Sequence, residues 1–141
     1  MKKENVKTYK LLENHDELII DNNFRYHLYR NCEELTKNKE ALFATSYINN
    51  YWKFRDKQGF EHLYNPEGEE LSLGIKTMVI ECYKNSYWKY MAKNGSWNII
   101  DNNGHNISSH IPYIYECIVY DDGNVDYKEN KDSEFLSFQR N

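Results

Sequence analysis

Apolar and polar residues alternate along short stretches of this chain, and turn-forming residues separate the stretches. Phe24, Tyr26 and Leu28 alternate with Arg25 and His27; Phe60, His62 and Tyr64 alternate with Glu61 and Leu63. A period of two marks a half-buried strand, because successive side chains leave opposite faces. The pattern predicts strands over 18–20, 24–29, 42–48, 51–55, 60–64, 78–83, 87–92, 97–100, 113–120 and 125–127, with a last short strand over 135–138. Between them lie Asp21-Asn22-Asn23, Asp56-Lys57-Gln58-Gly59, Asn65-Pro66-Glu67-Gly68, Lys93-Asn94-Gly95, Asp101-Asn102-Asn103-Gly104 and Asp121-Asp122-Gly123. Such segments supply the preset and positive φ angles that tight turns need. Residues 33–41 fit either a short helix or more turn, and residues 1–8 read as frayed or as an edge.

The pattern also repeats. Shifting 85–111 back by 36 positions lays it on 49–75 without a gap, so that Tyr51-Trp52-Lys53 matches Tyr87-Trp88-Lys89, Gly59 matches Gly95 and Gly68 matches Gly104. A further shift of 36 puts Phe60, Glu69, Glu70 and Leu71 on Phe24, Glu33, Glu34 and Leu35, with Cys32 where the other copies carry glycine. A fixed period of this size means one supersecondary unit copied in tandem. The expected fold is all-β with little helix, a single domain over 1–141. Its antiparallel units span about 9–39, 41–75 and 78–111, with a partial fourth over 113–138, and close into a barrel-like or curved sheet. The fourth unit is charged and atypical, as an array's end must be to discourage edge pairing.

One copy resembles a known family. Asn94, Gly95, Trp97, Ile100, Asp101, Gly104 and Ile107 match the unit of the bacterial WG-repeat proteins, with Asn98 in place of the glycine after tryptophan. The second copy keeps Gly59, Gly68 and Leu71 but has Glu61 at the tryptophan position; the first keeps only the apolar spacing. The resemblance runs over about 9–111. It implies tandem antiparallel β-units and no catalytic residues to carry over.

Composition narrows the function classes. Net charge is -4, and residues 116–141 hold 7 acidic against 3 basic groups while 1–115 balance. A chain with no Lys/Arg cluster is poorly suited to duplex nucleic acid, where neutralising phosphates dominates affinity. No apolar run approaches a membrane span, and no apolar stretch follows the N-terminal lysines as a signal peptide requires. Cys32, Cys82 and Cys117 are odd in number and widely spaced, which suits reduced thiols and a cytoplasmic setting. Abundant Asn, Lys, Ile and Tyr fit an AT-rich bacterial or phage genome.

Chemistry-bearing motifs are few. His105 and His110 flank two serines but lack the one-face spacing of helical zinc motifs, and an enzyme built on them is one alternative. Cys82 and Cys117 sit at equivalent places in neighbouring units, as buried small residues or as a metal or redox pair. No catalytic residue, metal or cofactor is expected. The better lead is the aromatic content of 16%, more than one small core consumes. Tyr51, Trp52, Tyr87 and Trp88, with Asp121 and Asp122, form the candidate surface for a protein partner. The reading is a non-enzymatic interaction protein, an inhibitor or immunity factor that binds a larger, nucleic-acid-processing enzyme. A glycan- or single-strand-binding module using Tyr and Trp platforms is the second alternative.

Overall fold

The computed structural model describes residues 6–11, 16–46 and 48–138. The strands are β1 (Val6–Leu11), β2 (Glu17–Asp21), β3 (Tyr26–Arg30), β4 (Glu33–Glu34), β5 (Phe43–Ser46), β6 (Trp52–Arg55), β7 (Glu61–Tyr64), β8 (Ile80–Cys82), β9 (Trp88–Met91), β10 (Trp97–Ile100), β11 (Glu116–Val119), β12 (Val125–Lys128) and β13 (Leu136–Phe138). They pair antiparallel into four sheets: β1-β2-β3-β4, β5-β6-β7, β8-β9-β10 and β11-β12-β13. The 3-10 turn Ile48–Asn50 is the one helical piece among the described residues. The fold is therefore all-β, as the alternation predicts, and residues 35–39 take the turn option with no helix. Of the N-terminal stretch read as frayed or an edge, residues 1–5 lie outside the described residues, and β1 is the edge of its sheet.

The chain divides into two compact units, Met1–Gly74 and Ile75–Asn141, each with two sheets. In the first, Leu28, Leu35, Ala41, Ala44, Trp52, Phe54 and Tyr64 form a buried cluster. In the second, Tyr87, Ile99, Ile114, Cys117, Val119 and Val125 do so. Burying a large apolar side chain of these clusters is worth roughly 1.5–3 kcal/mol before conformational entropy is counted.

The period of the sequence is visible in the pairing. Trp52 faces Tyr64 across β6 and β7, and 36 residues on Trp88 faces Ile100 across β9 and β10. Each such strand then meets a short fourth segment: Tyr29 pairs with Glu34, Tyr64 with Glu70 and Ile100 with Asn106. The first copy is one residue shorter than the others. Its β3–β4 hairpin closes through Asn31 and Cys32 alone, both at positive φ (52° and 65°), where the second copy uses the wider turn 65–68 with Gly68 at 85°. Two successive left-handed residues are the demand of a two-residue hairpin turn. The Cys32 position thus takes a different turn from its glycine counterparts, and the spacing upstream of it falls to 35.

Candidate functional site

With the shortened turn taken into account, the tripeptide His-Leu-Tyr recurs at 27–29 and 62–64. Each histidine is held between two carboxylates. His27 Nε2 lies 2.8 Å from Asp21 and Nδ1 contacts Glu34; His62 Nε2 lies 2.8 Å from Asp56 and Nδ1 3.0 Å from Glu70. The aspartates are placed by their own turns. Asp21 Oδ1 accepts from the backbone N–H groups of Asn23 and Arg25, and Asp56 Oδ1 from those of Gln58 and Phe60. The glutamates are placed by a hydroxyl two residues on: Thr36 donates to Glu34 and Ser72 to Glu70. The same hydroxyls accept from the N–H of Leu28 and of Leu63. Turn, strand and succeeding segment are thereby tied through one imidazole in each copy.

Burial opposes charge on both rings, but the hydrogen bonds and negative charge of their carboxylates outweigh it and raise both imidazoles above the ordinary value. Burial likewise pushes Asp21, Asp56 and Glu70 up, yet the histidines and other donors leave all three lowered. Such an imidazole is a clamp whose protonated form is favoured. Both ring nitrogens face carboxylates, so neither is placed to take a proton from a substrate. The third copy lacks the device: Ala92, Asn98 and Asn106 stand at the equivalent positions, and Asn106 donates to Asn98 while Ser108 still donates to Asn106.

A second buried polar group sits at the start of β2. Arg30 donates to both Asp16 oxygens and to the carbonyls of Asn50 and Asn65, while the Trp52 indole N–H donates to Asp16 at 2.7 Å. In the third sheet Lys89 is buried with its Nζ 4.2 Å over the Trp97 ring and 3.4 Å from Glu81. At the matching place in the second sheet, Lys53 meets Glu61 at 3.4 Å.

The residues singled out from sequence lie in different surroundings. Trp52 (2% exposed), Trp88 (3%) and Tyr87 (8%) are interior, so within these units they brace the core and offer no contact surface. Tyr87 packs its hydroxyl against the Gly123 turn. Tyr51 is half-buried, and Asp121 and Asp122 are exposed on the β11–β12 turn, where Asp122 accepts from the Asn124 N–H. His105 and His110 turn to different partners, His105 to Asp101 at 3.6 Å and His110 edge-on to Phe138. Cys82 and Cys117 are free thiols, and burial pushes Cys117 up to about 11. Among the described residues no three His, Cys, Asp or Glu side chains converge as a metal site, and no helix is long and apolar enough to cross a membrane.

Exposed aromatics missed from sequence include Phe24 and Phe43 in the first unit, and Tyr120 and Phe135, which lie on the outer face of the last sheet. Glu116 and Ile118 of β11 face Lys128 and Asp126 of β12. Tyr120 donates to Asp126 at 2.7 Å, Ser137 donates to the other Asp126 oxygen, and Lys128 lies 4.8 Å over the Phe135 ring. Ile118, Tyr120 and Phe135 are each more than 40% exposed. The burial of β11 alternates, but its sequence does not, because Cys117, Ile118, Val119 and Tyr120 are all apolar; no sequence signal separates this face from the core.

Fold and site together define a tandem antiparallel β-repeat protein. No family model matches the chain, and no curated protein matches it. Among solved structures it is similar to the WD40 β-propeller domain of Doa1, at 13% identity and a TM-score of 0.41 over 86% of this chain and 47% of that one. It is similar also to HIRA(644-1017), at 11% and 0.44 over 94% and 51%, and to YCF48 bound to D1 peptide, at 9% and 0.40 over 86% and 47%. The chain spans about half the length of each. Likeness at this level carries no functional inference.

Proposed function

We propose that this chain is a non-enzymatic protein-binding module of the WG-repeat type, and that its partner surface is the outer face of the β11-β12-β13 sheet. The observation that carries this reading is the coincidence there of exposed Ile118, Tyr120 and Phe135 with an acidic surround. Residues 116–141 hold 7 acidic and 3 basic groups, Asp121 and Asp122 among the acids. Aromatic anchors inside a charged rim suit a cationic protein surface, with the charge steering encounter and the aromatics holding the complex. Tyr51, half-buried in the first unit, is secondary in this reading.

The finer reading is a cytoplasmic bacterial or phage inhibitor or immunity factor that occupies the basic surface of a nucleic-acid-processing enzyme. Occupation by an acidic face is the mechanism, and no cofactor enters it. The test is size exclusion of the chain with a panel of such enzymes at low and high salt. A complex that weakens with salt and is lost in a Tyr120→Ala, Phe135→Ser variant supports it. Absence of any complex across the panel removes the inhibitor reading. A complex that survives the variant moves the surface elsewhere.

A further inference from the structure

We propose that the first unit carries a binding site for a small polyhydroxylated carboxylate, of the sugar-acid class, in the cavity beside His27. The cavity holds about 470 Å³ and is bounded by the Asp21 turn, the start of β3 and residues 34–41. That is within the size range of small-molecule sites. The site is independent of the acidic face and needs none of its residues.

The two clamps provide an internal comparison. Arg25 and Phe60 stand at one structural position, each donating its backbone N–H to the clamp aspartate. Lys37 and Leu73 directly follow the clamp hydroxyls Thr36 and Ser72, and Asn38 corresponds to Gly74. The shared scaffold accounts for the fold in both copies. Arg25, Lys37 and Asn38 are therefore extra: the second copy folds the same segment with Phe60, Leu73 and Gly74. His27 is also the more accessible ring, its side chain 23% exposed against 11% for His62, whose face is stacked on Phe54.

The charges around the cavity leave a cationic pair available. Asp21 and Glu34 are both engaged by His27, and Glu40 lies 3.2 Å from Lys57. Among the described residues no carboxylate lies within ion-pair distance of Arg25 or Lys37. Arg25 donates one guanidinium nitrogen to the Asn23 carbonyl, which fixes its direction and leaves its other donors for a ligand. A guanidinium fork and an ammonium bind carboxylates and phosphates alike, and the neighbouring Asp21, Glu34 and Glu40 favour the singly charged carboxylate over a doubly charged phosphate. Asn23 and Asn38 offer both donors and acceptors, the combination that hydroxyl groups need. The half-buried Tyr26 ring, tilted against Phe43 at 6.1 Å, gives a flat apolar wall for a sugar's C–H face.

The experiment is a calorimetric and NMR titration of the full chain with glucuronate, with glucose and acetate as separate arms. Glucuronate is expected to bind at least about tenfold more tightly than either, since each arm removes one half of the recognition. An Arg25→Ala, Lys37→Leu variant is expected to lose about tenfold or more in affinity with an unchanged thermal midpoint. Arg25→Lys is the milder second variant, expected to retain part of the binding should the double variant fold poorly. No glucuronate binding at millimolar concentrations overturns the proposal. So does glucose or acetate binding equally well, or glucuronate binding that is untouched in both variants.

Discussion

His27 and His62 occupy one structural position in consecutive sheets, each with a carboxylate on both ring nitrogens, although they stand 35 residues apart in a chain whose other copies keep a period of 36. The third sheet replaces the charged trio by Ala92, Asn98 and Asn106. Electrostatics therefore differ between the two units even though the backbone plan does not.

The first expected outcome is a pH dependence confined to the first unit. Both imidazoles are raised above 6.5 in the folded chain, so the fold binds their protons more tightly than the unfolded chain does. Their stabilisation is full below 6.5 and is lost as pH rises through the raised folded values. Asp21, Asp56 and Glu70 are lowered from 3.8, 3.8 and 4.5, so their contribution is full above those values and is lost as pH falls through the lowered ones. The first unit is most stable between these limits. Hydrogen exchange corrected for its intrinsic rate, from about pH 6 to about pH 9, is expected to show β2–β7 losing protection while β8–β13 change little. Equal loss in both units rules out the clamps as the cause.

Transplanting the clamp is the complementary experiment. Ala92→Asp, Asn98→His and Asn106→Glu together place the trio on the third sheet, where Ser108 already holds the hydroxyl position. The triple variant is expected to gain the same alkaline loss of protection in the second unit. Asn98→His alone, with no carboxylate on either side, is expected to destabilise that unit by about 1–3 kcal/mol in urea unfolding.

Asp16 is expected to be among the most costly polar positions. Its carboxylate is buried with Arg30 and accepts from the Trp52 indole, so Asp16→Asn leaves a guanidinium buried without its counter-charge. The loss is expected at about 3–5 kcal/mol by urea unfolding. Trp52→Phe removes the indole donor and part of a buried ring but keeps the Asp16–Arg30 pair, and is expected to lose less.

Gly123 is expected to reject a side chain for two separable reasons. Its φ is +86°, and a Cβ there sits 3.0 Å from the Tyr87 hydroxyl oxygen. Gly123→Ala is expected to cost about 1–2 kcal/mol from backbone conformation alone, plus the contact. Tyr87→Phe in the same chain is expected to recover the contact part and leave the backbone part. Thermal melts of the single and double variants separate the two.

Much of the fold is legible in the sequence because strand alternation and turn chemistry are local. The strands over 51–55 and 97–100 fall where Trp52, Phe54, Trp97 and Ile99 place them. The clamp is hidden when copies are compared at a fixed 36, which pairs Phe24 with Phe60; the structure pairs Arg25 with Phe60 and His27 with His62. Burial is the other obstacle. Alternation in β6 and β9 shows that Trp52 and Trp88 share a face with their neighbours, and it does not show whether other residues cover that face. Here they are covered, so the aromatics that reach solvent are others: Phe24 and Phe43 in the first unit, and Tyr115, Tyr120 and Phe135 in the atypical last one.

The two-residue turn of Asn31 and Cys32 gives the chain a place where length can change without disturbing the strands on either side. Removing a residue between strands leaves each strand's own alternation intact, whereas removing one inside β3 or β7 sends the rest of that strand's side chains to the wrong face. Glu34 reaches His27 as Glu70 reaches His62 because the missing residue falls at the hairpin tip. Hairpin tips are thus where copies of this unit can drift in length while keeping their chemistry. A search built on a rigid spacing passes over such copies, and one that counts outward from the paired histidine and carboxylates finds them.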